Sequence, residues 1–65
     1  MKGRIRIVLK GLLDQKWSGH FEDMEISYEA GSTILSGELK DHAQLHGILN
    51  IIRELNLTLI SVNPA

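Results

Sequence analysis

The segment from Asp41 to Leu57 constrains the fold more than any other, because it reads as one helix with both ends marked. Asp41-His42-Ala43-Gln44 has the spacing of a capping box. The aspartate carboxylate accepts from first-turn N–H groups that have no partner inside the helix, and the glutamine three residues on reaches back. Leu45, Ile48, Leu49, Ile52 and Leu55 then recur on a single stripe at the helical period. Asn56 suits a left-handed closing position, and Leu57 can meet Ile52 across the helix end. A helix with one apolar stripe must bury it against another layer.

The rest of the chain supplies strands for that layer. In Arg4-Ile5-Arg6-Ile7-Val8-Leu9-Lys10, Ile5, Ile7 and Leu9 alternate with Arg4, Arg6, Val8 and Lys10, the period of a half-buried strand that Gly11 closes. Met24, Ile26 and Tyr28 alternate with Glu25, Ser27 and Glu29 in a second strand. Ala30-Gly31-Ser32 turns the chain, with Gly31 free to take positive φ, and Thr33 to Leu39 return as a third strand. Leu57 to Val62 form the fourth. Between strands one and two, Asp14 can cap a short helix that sets Trp17 and Phe21 on one face, with Leu13 as an apolar anchor. Gly19 weakens that helix, and a looped aromatic plug is the competing reading.

The expected fold class is therefore α+β. The preferred architecture is a ferredoxin-like sandwich, β-short α-β-β-α-β, in which helices cover one face of a four-stranded antiparallel sheet. The alternative is a β-β-β-α-β meander plus crossover. The first crossover, residues 11–23, is near the length of about a dozen residues that such connections need. In the meander, Arg4 and Arg6 would sit beside Glu25 and Glu29 on neighbouring strands.

Residues 1–65 make a single small domain. A chain this short buries only about 60% of the surface its unfolded form exposes, and its core supplies roughly 3–5 kcal/mol. It contains no cysteine, so no disulfide or thiolate metal site reinforces it. These limits lead to the expectation of a homo-oligomer, a dimer or larger. The formal net charge of −1 argues against nucleic-acid or membrane-surface partners. That charge is polarised: Lys2, Arg4, Arg6, Lys10 and Lys16 against Asp14 give +4 over residues 1–16, whereas residues 17–41 carry −5. No stretch approaches the ~20 apolar residues of a membrane span. Arg6 interrupts the apolar run near the N-terminus, making a poor signal peptide, and a cytoplasmic location is expected.

Few residues suggest chemistry. His42 and His46 stand four apart on the helix, a spacing used by metal-binding pairs, and His20 or Asp41 is a candidate third ligand. The pattern lacks the glutamate of H-E-x-x-H, so the favoured reading is of ordinary helix-edge histidines. No metal or other cofactor is expected. Glu22, Asp23 and Glu25 read as a solvated acidic loop, without the apolar pocket that splits the pKa values of an acid/base couple. No phosphate-binding loop or nucleophile motif is present. Trp17 and Phe21 read as core plugs in preference to a stacking platform.

Two surfaces suit a partner instead. Ala43 and Gly47 lie on the helix flank away from the apolar stripe, with Ile51 adjoining. A glycine there costs ~1 kcal/mol relative to alanine, which suggests a close neighbour. Val8, Ile34, Ile60 and Val62 point to the sheet face opposite the core in the simplest register; in a shifted register they are internal.

The run Asp41-His42-Ala43-Gln44-Leu45-His46-Gly47-Ile48-Leu49, followed by Ile52-Arg53-Glu54-Leu55 and Leu57-Thr58-Leu59-Ile60-Ser61-Val62, resembles the C-terminal signature of a group of short prokaryotic proteins. Those read D-Q-A-x-L-H-G-x-L-x-x-I-R-D-L-x-L-x-L-x-S-V. Trp17-Ser18-x-x-Phe21 and Thr33-x-Leu35-x-Gly37 match as well. His42 replaces the usual glutamine and Glu54 the usual aspartate. The resemblance implies a compact fold and no particular reaction; Leu45-His46-Gly47 is its most distinctive spot, and no reagent is assigned to it.

The favoured function is a non-enzymatic interaction or regulatory module acting as a homo-oligomer. The alternative is a small-molecule-sensing domain that holds ligand between subunits near the start of the main helix. A small metal-dependent enzyme using His42 and His46 is a third, less favoured reading.

Overall fold

A computed structural model describes residues 3–21 and 24–64. Glu22 and Asp23 of the proposed acidic loop lie outside the described residues. The elements in chain order are β1 (Gly3–Lys10), a 3-10 helix (Gln15–Phe21), β2 (Glu25–Glu29), β3 (Ser32–Leu39), α1 (His42–Glu54) and β4 (Leu59–Pro64). The strands form one four-stranded sheet in the order β2-β3-β1-β4, and every neighbouring pair is antiparallel. The architecture is α+β.

The meander alternative is not formed, since β1 pairs with β3 and not with β2. The charge pairing that favours a meander is nevertheless satisfied at longer range. Arg4 Nη2 lies 4.0 Å from Glu25 Oε1, and Arg6 Nη2 lies 3.4 Å from Glu29 Oε2, both reaching across the intervening β3. Two strand spacings are about 10 Å, a gap that the long arginine side chains span above a strand carrying Ser32 and Ser36.

One face of the sheet holds the core. Ile5, Ile7 and Leu9 of β1 and Leu35 and Leu39 of β3 cluster with Ile48 and Ile52 of α1, and with Leu13, Phe21 and Met24 from the first crossover. The 3-10 helix thus settles the choice between short helix and loop: Phe21 is fully inserted, whereas Trp17 packs half-buried at the margin. Asp14 starts this segment as expected, its carboxylate accepting from Lys16 N–H at 3.0 Å and its carbonyl from Trp17 N–H at 3.0 Å.

Thr33 is the only buried polar residue among those described, and it anchors the crossover. Its hydroxyl donates to the Gly11 carbonyl at 2.7 Å and accepts from Leu13 N–H at 2.8 Å. Tyr28 O–H donates to the Leu13 carbonyl at 2.9 Å. Backbone groups leaving the sheet would otherwise be buried without partners, which costs about 1–3 kcal/mol each.

The helix ends as its sequence signals. The Asp41 side chain accepts from Gln44 N–H at 2.9 Å, and Gln44 Oε1 reaches back one residue further than a standard capping box, to Lys40 N–H at 2.7 Å. At the other end Asn56 takes φ 58°, Asn56 N–H donates to the Arg53 carbonyl, and Leu57 N–H donates to the Ile52 carbonyl, a Schellman closure. Because Leu57 N–H is committed to this closure, the last strand begins at Leu59, two residues later than the apolar pattern suggests, and the chain first meets β1 where Lys10 N–H donates to the Thr58 carbonyl at 2.9 Å.

Candidate functional site

The sheet's two edges differ in chemistry. β2 carries Glu25 and Glu29, whereas β4 reads Leu-Ile-Ser-Val-Asn-Pro with no charge. No charged side chain follows Glu54 in the sequence. On the core side of β4 the helix stands away from the edge and leaves two open apolar grooves. The larger, about 380 Å³, is lined by Gly3, Arg4, Ile5, Leu45, Val62, Asn63 and Pro64. The second, about 310 Å³, is lined by Leu49, Ile52, Arg53, Leu57 and Leu59. Leu59 is 43% exposed and Ile60 54% exposed, high for large aliphatic residues.

The register explains this exposure. β4 pairs Val62 with Ile7 and Ser61 with Val8, then shifts so that Leu59 faces Leu9, which leaves Ile60 without a cross-strand partner. Val62 therefore lies on the core face, half-buried against the cluster, and not on the opposite face where simple alternation puts it. A one-residue irregularity inverts the side-chain order of the residues on its far side.

Val8 and Ile34 do lie together on the face opposite the core, as cross-strand partners. Ile34 is only 7% exposed there, although it stands outside the core cluster. Arg6 is level with Ser36 and Glu29 with Ser32, so their ion pair crosses β3 diagonally at the level of Ile34. The stems of charged side chains cover the apolar residue beneath.

The helix flank differs from expectation in one respect. Ala43 and Gly47 are exposed, but Ile51 packs against the core cluster. A Cβ on Gly47 would meet nothing within 4 Å, so no neighbour within the chain requires its small size.

His42 and His46 are exposed on the first turns of α1, and His20 lies in the 3-10 helix, its ring centroid 5.7 Å from that of Trp17. Lys16 Nζ stands 5.0 Å from the Trp17 ring centroid. Among the described residues no three His, Asp or Glu side chains converge where they could hold a metal ion. No helix of the described chain is long and apolar enough to cross a membrane.

Leu57, Leu59 and Pro64 line the grooves beside Leu45, and no sequence motif singles out these three as a surface. The one signal that bears on them is the uncharged run after Glu54, which marks a strand lacking the charges that normally protect an edge.

No curated protein and no solved structure matches the chain. A family model matches residues 4–63, nearly the whole sequence, and on that match the chain belongs to the domain family of unknown function DUF8691.

Proposed function

We propose that the chain is a non-enzymatic, cytoplasmic interaction module that works as a homo-oligomer, on a ferredoxin-like arrangement whose first helix is reduced to the 3-10 helix. The observation that carries this reading is the uncharged β4 edge, flanked by two apolar grooves and bearing exposed Leu59 and Ile60. Soluble monomers rarely leave contiguous apolar surface beside an open strand edge. The strand order and the two crossovers support the ferredoxin-like description. Light scattering at micromolar concentration tests the assembly: the expected species is a multiple of the 7.3 kDa chain, and a monomer throughout removes the reading.

The larger groove also favours a second reading, a small-molecule sensor. Its volume of about 380 Å³ lies in the range of ligand sites, and it adjoins Leu45 on the first turn of α1. A thermal-shift screen of small apolar compounds should then find ligands that raise the melting temperature and lose their effect in Leu45→Glu. A screen with no such compound counts against it.

A further inference from the structure

We infer that two copies of this chain join by pairing β4 with β4 antiparallel, about a two-fold axis at Val62, to make one continuous eight-stranded sheet. The inference rests on the homo-oligomer reading and specifies its interface.

The backbone direction follows from Pro64. Ile5 and Pro64 are cross-strand partners, and proline has no N–H to donate. That pair is therefore a non-hydrogen-bonded position of the antiparallel ladder, and Arg6–Asn63 and Val8–Ser61 are the hydrogen-bonded ones. By alternation the N–H and C=O of Val62 point away from β1, into the open edge. A second Val62 related by a two-fold axis satisfies both groups at once, with Ile60 of each copy opposite Pro64 of the other. Pro64 has no donor to offer there, so the new ladder is short and ends at that pair.

Charge decides which edge and which occupant. Self-pairing of β2 would bring Glu25 and Glu29 of two copies together, and like charges across strands repel. Self-pairing of β4 brings no charged residue of that strand against another. An acidic or basic strand has no counter-charge on β4 to select it, whereas a second copy offers the same uncharged, aliphatic strand. The antiparallel sense also lays the Pro64 end of one copy's groove beside the Leu59 end of the other's, so that exposed Leu59 and Ile60 are covered reciprocally.

Two variants and one amide test this by sedimentation equilibrium and hydrogen exchange. Ile60→Lys sets a lysine against Pro64 of the other copy, at an exposed position of the edge, and leaves the fold intact by circular dichroism. Val62→Pro removes the outward N–H, which β1 does not use. Each should weaken dimerisation about tenfold or more, and the Val62 amide of the wild-type dimer should exchange slowly. A wild-type chain that stays monomeric at every concentration overturns both this inference and the homo-oligomer reading. A wild-type dimer that persists in folded Ile60→Lys, with the Val62 amide exchanging freely, overturns the β4 interface alone.

Discussion

Arg6 and Glu29 meet at 3.4 Å over β3, on strands that are not neighbours, and their side chains roof Ile34 on the otherwise open face of the sheet. Both side chains are largely exposed, so the ion pair itself contributes little. The apolar stems matter more than the charge. Arg6→Met should keep nearly the wild-type stability, whereas Arg6→Ala should lose about 1 kcal/mol in urea unfolding. Equal losses in the two variants would return the credit to the ion pair.

Thr33 holds the exit of β1 through both lone pair and proton. Thr33→Val keeps the shape but strands the Leu13 N–H and the Gly11 carbonyl, and should cost about 2–3 kcal/mol. Thr33→Ser retains the hydroxyl and should lose less. The difference in urea midpoints between the two variants reads the hydrogen bonds apart from the methyl group.

The β2–β3 hairpin turns through Ala30 at φ 51° and Gly31 at φ 78°, the pair of left-handed residues that a two-residue type I′ turn needs. Alanine is poorly suited to that region. Ala30→Asn should raise stability by about 0.5–1 kcal/mol, measured as a higher unfolding midpoint with unchanged slope.

Gly47 stands in mid-helix with open space where a side chain would go. Gly47→Ala should therefore stabilise the chain by about 1 kcal/mol at all protein concentrations. A destabilisation that vanishes on dilution would instead reveal a second copy packed on the Ala43–Gly47 flank, in competition with the β4 interface.

Asp41 caps α1 through one carboxylate bond to Gln44 N–H. Asp41→Ala should cost about 1 kcal/mol in thermal or urea unfolding, and Asp41→Asn, which keeps an acceptor, should cost much less. Equal losses would show that the carboxylate acts through its charge on the helix dipole.

Much of this architecture is legible residue by residue. The cap at Asp41, the left-handed Asn56, the inward alternation of Ile5, Ile7 and Leu9, and the turn at Gly31 each follow from local rules, because each depends on contacts within a few residues. The fourth strand is harder to place. Leu57 looks like a strand residue by its neighbours, yet its N–H closes the helix, and β4 starts at Leu59 and shifts register once. Val62 changes face for the same reason: period two sends it away from the core, and parity fails across an irregularity.

The sequence by itself determined where α1 and the first three strands lie, since propensity, capping and period are properties of short stretches. Strand neighbours are another matter. Arg4 and Arg6 suit Glu25 and Glu29 whether one strand or none separates them, and charge at that range does not distinguish the cases. Only the folded chain decided that β3 lies between them, because Thr33 and Leu35 bury fully in the centre of the sheet. That arrangement left β4, the uncharged strand, at the edge.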